Sequence, residues 1–361
     1  MDTLALPIVE LSGTPAEMGR SYGGQLAGPI SGFVAHRLAI TGQYLRDRGF
    51  AGEADLLAVG EAGLAVLEGF DGEGFAELVA TAEAAGVEPA GLFAAANYSD
   101  VRDVVLLAGG DPSDEGCTAF ALSGEVTTSG EVIAGQTWDL HPRDMEHVIA
   151  VHRRPTHGAR TVAITTVGSP TLIGLNEHGV YVGTTNIKVR GVRGDGVGYL
   201  NVLHRALSRA KTAEEASALM SEAPRLAAHT YWGADARGAI ELEASAGSVV
   251  RRALGGGTPW LVQTNHCLDP EHVSREAEAP SESSSHRLSR ATDLVGAGAH
   301  DVASLRALMG DRAGAPNCIS RWHEDGQYAA TNACAIAEPA RGVMHACRGP
   351  ADRGEWVELR P

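Results

Sequence analysis

The hydrophobic pattern of this chain changes period across the polar loop at residues 109–116, and that change constrains the fold more than any other feature. Before the loop, apolar residues recur at helical spacing. Thr14-Pro15-Ala16-Glu17 joins an N-cap, a proline at the first helical position and a capping-box glutamate, so a helix starts there, after a short strand at 8–11. Met18, Tyr22, Leu26 and Ile30 follow at spacing four, with Gly23, Gly24 and Gly28-Pro29 weakening the pattern. Further helices are predicted over 54–67, over 75–85 closed by Gly86, and from Pro89 towards Val105.

After the loop the period becomes two, with strands predicted over 118–123, 132–139, 148–152, 161–167 and 171–175. Asn176-Glu177-His178-Gly179 turns the chain into a strand at 180–185, and Asp235-Ala236-Arg237-Gly238 joins Tyr231-Trp232 to 239–242, which implies antiparallel pairing. Helical pattern returns at 199–220, at 288–295 and from an Asp301 cap through 308, while the serine cluster at 281–285 is too short for a linker. Helices, two sets of antiparallel strands and more helices describe a layered α+β domain.

The 361 residues suffice for one large domain or two ordinary ones. A formal net charge of −16 argues against partnership with nucleic acid or anionic lipid, and no apolar run reaches the roughly 18 residues of a membrane span. The opening residues 1–13 have no basic region and no small-residue cleavage site, so a cytoplasmic protein is expected. Five widely spaced cysteines without C-x-x-C disfavour a disulfide framework and a zinc site, and His141, His147 and His152 lack a metal-ligand spacing; neither metal nor cofactor is expected.

Chemistry points to Asp114-Glu115-Gly116-Cys117-Thr118-Ala119-Phe120, where a loop empties through a glycine into a strand-opening cysteine. Read alone, Cys117 is either a small buried residue, as free cysteine commonly is, or a nucleophile facing the unhindered Gly116 carbonyl. Its surroundings add Gly135-Gln136-Thr137-Trp138-Asp139 at the end of the next strand, then Asn176-Glu177-His178-Gly179-Val180, Gln263-Thr264-Asn265-His266 and Ala315-Pro316-Asn317-Cys318-Ile319. With the opening Glu10-Leu11-Ser12-Gly13-Thr14-Pro15-Ala16-Glu17-Met18-Gly19-Arg20 and the closing Arg348-Gly349-Pro350, this order over nearly the whole chain resembles the acyl-coenzyme A:6-aminopenicillanic acid acyltransferase family. Those enzymes are cousins of the choloylglycine hydrolases in the N-terminal-nucleophile superfamily.

The resemblance implies a four-layer αββα fold with two stacked antiparallel sheets between helical layers. It also implies a precursor that cuts itself between Gly116 and Cys117, leaving a mainly helical piece 1–116 bound to the catalytic piece 117–361 as one structural domain. The Cys117 thiol would attack the Gly116 carbonyl and water would resolve the thioester. The freed α-amine, with a reference pKa of about 7.7–8.0, then serves as base, so no histidine is required. By the same resemblance Asp139 anchors that amine, the Asn265 side chain and the Asn186 backbone N–H hold the oxyanion, and Arg287 favours thiolate or orients the amine. Each also has a plainer reading: Asp139 as a turn cap before Pro142, Asn186 and Asn265 as strand-end backbone partners, Arg287 as an exposed helix-start residue. Two departures, Gln136 where choloylglycine hydrolases have arginine and Thr137 for the commoner asparagine, weigh against bile-salt-like substrates.

The expected activity is hydrolysis or acyl transfer on a small non-peptide amide through a Cys117 thioester, with acyl-coenzyme A as the donor that the family analogy suggests for transfer. The alternatives are an N-acyltransferase proper, and a non-catalytic binding protein that keeps the fold. A papain-like cysteine–histidine dyad lacks its local signature. Gly19-Arg20-Ser21-Tyr22-Gly23 satisfies G-x-S-x-G but lies inside the capped first helix, where it reads as a packing segment rather than a nucleophile elbow. The glycine-rich stretch 191–198 fits neither a Rossmann nor a P-loop spacing and reads as a lip after the Asn186 strand.

Overall fold

In the computed structural model, which describes residues 4–106 and 116–361, Thr14 caps the first helix as its sequence predicts. Its hydroxyl accepts from the Glu17 N–H, and the Glu17 carboxylate accepts from the Thr14 N–H at 2.8 Å. Ahead of Cys117 the chain forms strand β1 (Ile8–Gly13) and helices α1 (Pro15–Gln25), α2 (Ala27–Arg46), α3 (Glu53–Phe70), α4 (Gly72–Ala85), α5 (Pro89–Ala96) and α6 (Tyr98–Leu106). Pro29 does not stop α2, because it occupies the first turn, where its missing N–H costs no hydrogen bond; the helix runs on to Arg46, further than the pattern announced. The stretch from Pro89 breaks at Asn97, whose side chain turns back to the Phe93 carbonyl at 3.1 Å and accepts from the Leu200 N–H at 3.1 Å.

From Thr118 onward the strands are β2 (Thr118–Leu122), β3 (Ile133–Leu140), β4 (Val148–Pro155), β5 (Thr161–Thr166), β6 (Ile173–Asn176) and β7 (Tyr181–Asn186). Helices α7 (Tyr199–Arg209) and α8 (Ala213–Ser221) follow, where one helix was expected; Thr212 ends the run by capping α8 through the Glu215 N–H at 3.1 Å. Then come β8 (His229–Asp235), β9 (Gly238–Ala244), β10 (Val249–Ala253), β11 (Trp260–Gln263), the short α9 (Pro270–Val273), α10 (Glu282–Val295), α11 (Val302–Met309), β12 (Ala330–Glu338), β13 (Val343–Arg348) and β14 (Val357–Leu359). The serine cluster supplies the cap and first turn of α10.

The strands form two sheets, ordered β1-β4-β5-β6-β7-β8-β9-β10 and β11-β2-β3-β12-β13-β14. The two antiparallel sheets are as expected, every neighbouring pair being antiparallel except β1 with β4 at one edge, which runs parallel. No hairpin joins these two strands, so nothing in the turn chemistry announced their pairing. The sheets face each other through β2, β3 and β7; α1, α7 and α8 cover the larger sheet, and α10 and α11 cover the smaller, giving four αββα layers. Strand β12 shows why the sheets stack closely: small Ala333, Ala335 and Ala337 belong to the main core, whereas Cys334 and Ile336 pack with Leu305 and Met309 of α11. Among the described residues no helix is long and apolar enough to cross a membrane.

Candidate active site

Cys117 sits where the chain enters β2, in a buried position at the mouth of the stacked sheets. Register fixes it there: Thr118 pairs with Thr137 of β3, and the Thr118 N–H donates to the Thr137 hydroxyl at 3.1 Å, the local task of the threonine that departs from the family pattern. The Cys117 thiol points to the Asp139 carbonyl at 3.9 Å, and the Gly116 N–H approaches the same oxygen at 3.5 Å. Gly116 has no space for a side chain, since a Cβ there would collide with Arg321 Nη1 and stand 3.0 Å from Asp139 Oδ2. Asp114 and Glu115 lie outside the described residues.

Asp139 is fully buried on β3, opposite Thr331 of β12, beside a register shift that bends the partner strand. Neither carboxylate oxygen has a hydrogen-bond partner of ordinary geometry among the described residues. Burial pushes its pKa up to about 6 from 3.8, against the pull of the Arg287 and Arg321 charges and of the nearby Thr331 and Thr137 hydroxyls. It is no turn cap: the turn at Pro142 is capped by the His141 side chain, which accepts from the Arg143 N–H.

Arg287 is not an exposed helix-start residue but is completely buried on α10. Its Nη1 donates to the Cys117 carbonyl and, at 3.2 Å, to the Thr118 hydroxyl; Nη2 reaches Asn265 Oδ1 at 3.0 Å and Nε reaches the Ser283 hydroxyl at 3.2 Å. Asn265 in turn donates one amide hydrogen to the Asn186 carbonyl at 3.0 Å, so its plainer reading as a backbone partner holds, while the second hydrogen remains for another acceptor. The Asn186 side chain is buried with neither amide atom hydrogen-bonded among the described residues. Gln136, fully buried on β3, bridges the sheets, donating to the Thr184 carbonyl at 2.8 Å and accepting from the Thr184 N–H at 2.7 Å. Cys117, Asp139 and Asn186 line one narrow cavity together with Trp138, Tyr98 and Tyr199.

Two participants escaped the sequence reading. Ser284 accepts from the Asn265 N–H at 2.9 Å and so holds that residue in place; the serine cluster was its only trace. Arg321, fully buried, lies against Gly116 and Asp139, and its own N–H is held by the Thr331 hydroxyl at 3.0 Å. It follows closely on the motif at Asn317-Cys318-Ile319, which gave a family signal without a role. Ser21, by contrast, is away from this cavity: its hydroxyl accepts from Gln25, and Gly19 and Gly23 on either side let α1 approach the α4 backbone at Glu77 and Thr81.

No curated protein matches this chain. Among solved structures, it is similar to an N-acylethanolamine-hydrolyzing acid amidase ortholog of Caenorhabditis elegans, at 13% identity and a TM-score of 0.45 over 62% of this chain and 93% of that one. It is similar to penicillin V acylase of Agrobacterium tumefaciens at 14% identity and a TM-score of 0.45, over 67% and 86% of the two chains. A variant of the conjugated bile acid hydrolase of Clostridium perfringens matches at 12% identity and a TM-score of 0.45, over 68% and 97%. The family model described as acyl-coenzyme A:6-aminopenicillanic acid acyl-transferase matches residues 126–352, more than half of the chain. That match begins after Cys117 and takes in Asp139, Asn186, Asn265, Arg287 and Arg321. With this fold and this match, the chain belongs to the acyl-coenzyme A:6-aminopenicillanic acid acyl-transferase family.

Proposed function

We propose that the chain is a self-processing cysteine amidohydrolase of the N-terminal-nucleophile type that cleaves a small non-peptide amide through a thioester on Cys117. In the first step Cys117 Sγ bonds to the Gly116 carbonyl carbon, the peptide C–N bond breaks, and the nitrogen takes a proton to become the α-amine of Cys117. Water then hydrolyses the thioester and leaves Gly116 as a carboxylate. In turnover that amine accepts the thiol proton as sulfur attacks the substrate carbonyl, and passes it to the departing amine; water resolves the acyl thioester. Hydrolysis is proposed over transfer because it needs only water as acceptor. With all five cysteines buried and none in a disulfide, the protein suits a reducing compartment, and a cytoplasmic reaction is part of this proposal.

The observation that carries the reading is the unpartnered Asp139 carboxylate buried next to the Gly116–Cys117 junction. The Arg287 and Arg321 charges and the Thr137 and Thr331 hydroxyls lie near this carboxylate without making a hydrogen bond of ordinary geometry to it, and an α-ammonium freed at Cys117 would supply the direct donor. Arg287, clamped between the Cys117 carbonyl and Asn265, would keep nucleophile and oxyanion donor in register. Intact mass under denaturing conditions tests this directly. The expected result is two pieces, 1–116 and 117–361, with a Cys117→Ala control uncut; a single chain in both proteins would overturn the proposal.

A further inference from the structure

Buried side-chain amides in this fold are hydrogen-bonded at one end or both, with one exception among the described residues. Gln136 exchanges two hydrogen bonds with Thr184, and Asn176 donates to the Leu207 and Ala210 carbonyls at 2.8 Å while accepting from the Val180 N–H at 3.0 Å. Asn97 and Asn201 bond each other at 3.0 Å, Gln263 donates to the His266 carbonyl at 3.0 Å and Asn332 to the His141 carbonyl at 3.2 Å. Asn186 is 7% exposed, and neither end of its amide has a hydrogen-bond partner among the described residues. Turning the amide over changes nothing, because both ends lack partners. Burying it in this way is unfavourable, and no contact within the fold offsets the cost.

Its position says what the missing partner is. Asn186 ends β7 and lines the cavity that holds Cys117 and Asp139. The other polar groups on the β7–β8 wall are engaged: His229, in register with Asn186, has Asp100 Oδ1 2.5 Å from its Nε2, and the Thr184 hydroxyl donates to the Thr230 carbonyl at 2.7 Å. Tyr98, Trp138, Leu140, Leu172 and Tyr199 make much of the remaining lining apolar. In the proposed reaction the amine leaves and water enters by the open side of Cys117, whereas the acyl group stays on sulfur. The walled cavity therefore falls to the acyl group.

We propose that the Asn186 side chain reads that acyl group: its amide pairs with a carboxamide that the acyl chain carries within a few bonds of the scissile carbonyl, each amide donating one N–H to the other's oxygen. The inference rests on the Cys117 acyl-enzyme reading. A carboxamide presents a donor and an acceptor side by side and so satisfies both ends of Asn186 at once, whereas an ether or ketone oxygen satisfies one and an alkyl chain neither. An alkyl chain of the same shape would exclude water and leave both ends unpaired, and sites built to hydrogen-bond a substrate group reject such analogues strongly. The side chain is distinct from the Asn186 backbone N–H, which the family resemblance gives to the oxyanion, so the two roles can be tested apart.

The test uses two nearly isosteric pairs of 4-nitroanilides, malonamoyl against 3-methylbutanoyl and succinamoyl against 4-methylpentanoyl. Each is measured as kcat/KM on the processed wild type, Asn186→Leu and Asn186→Asp. Taking the ratio across variants cancels the intrinsic reactivity of the carboxamide substrates, and any disturbance of the oxyanion site falls on both members of a pair. The expected result is that Asn186→Leu lowers the carboxamide-to-alkyl ratio at least tenfold in one pair. Asn186→Asp, which keeps an acceptor in either protonation state, restores part of it. A ratio unchanged in Asn186→Leu, or one that falls as far in Asn186→Asp, would overturn the inference and leave the proposed function standing. Should Asn186→Leu fail to process itself, the wild type decides: a carboxamide-to-alkyl ratio less than tenfold above that of alkaline hydrolysis in both pairs would overturn the inference. Should the anilides prove too slow, acylation of Cys117 by the malonamoyl and 3-methylbutanoyl 4-nitrophenyl thioesters, followed by intact mass, reads the same ratio. No Cys117 adduct from either would overturn both readings together.

Discussion

Gln136 and Thr184 exchange two hydrogen bonds across the interface of the sheets, the Gln136 amide donating to the Thr184 carbonyl at 2.8 Å and accepting from its N–H at 2.7 Å. One side chain thereby joins β3, which carries Asp139 next to its end, to β7, which ends in Asn186. Gln136→Leu would fill similar space but strand a buried backbone N–H and a buried carbonyl. The expected cost is about 2–4 kcal/mol. Urea unfolding in a Cys117→Ala background, where cutting cannot complicate the transition, measures it; a loss below about 1 kcal/mol would show that β7 finds other partners.

Asp139 gives the uncut protein a definite pH dependence. Its folded pKa of about 6 stands above the ordinary 3.8, so below pH 3.8 both folded and unfolded chains hold the proton and burial carries no charge penalty. As pH rises towards 6 the unfolded chain releases its proton first, and stability is lost, by about 3 kcal/mol in all. Glu241, pushed up to about 7 by burial, titrates over an overlapping range in the same direction, so the comparison must be between variants. Cys117→Ala/Asp139→Asn is expected to lose less stability than Cys117→Ala between pH 4 and 6. Parallel curves for the two proteins would mean that Asp139 is solvated or already paired.

The fold was legible wherever local chemistry decides an element. Thr14, Gly86 and Asp301 announced helix ends, and the turns at Asn176-Glu177-His178-Gly179 and Asp235-Ala236-Arg237-Gly238 announced hairpins. What escaped is decided by partners distant in sequence. The parallel β1–β4 pair has no turn to betray it, and the break at Asn97 depends on Asn201 and Leu200. At the site, Cys117, Asp139, Asn186 and Asn265, at or beside strand ends, and Arg287, inside α10, could be named from motifs because each has recognisable neighbours in sequence. Arg321, Ser284 and the Asp100–His229 pair could not, because their significance is a contact made across more than a hundred residues or to a backbone group.

Arg287 holds four acceptors with one planar group, and its replacement by lysine tests that geometry rather than the charge. A lysine ammonium cannot reach the Cys117 carbonyl, the Thr118 hydroxyl and Asn265 together. Arg287→Lys is expected to fold, to cut itself more slowly, and to lose about tenfold or more in kcat with KM little changed. Wild-type kcat in the lysine variant would reduce the role of Arg287 to a local charge.

Gly116 offers the most direct separation of folding from self-cleavage. An alanine Cβ there would meet Arg321 Nη1 and Asp139 Oδ2 at once, and neither can retreat far: Arg321 is fully buried, and Asp139 is held within β3. The added methyl must therefore be accommodated by Gly116 itself, whose carbonyl is the group Cys117 would attack. A displacement approaching 1 Å is worth about a hundredfold in rate for a reaction that depends on alignment. Gly116→Ala is accordingly expected to accumulate as uncut chain over hours with a melting temperature close to that of Cys117→Ala, and Arg321→Ala in the same chain should restore part of the cutting by making room. Gly23→Ala supplies the contrast, since its Cβ would strike the Thr81 carbonyl of α4, far along the chain from the junction. That variant should melt earlier yet cut itself normally while folded. If Gly116→Ala cut as fast as wild type, Gly116 would owe its place to something other than the space between Arg321 and Asp139.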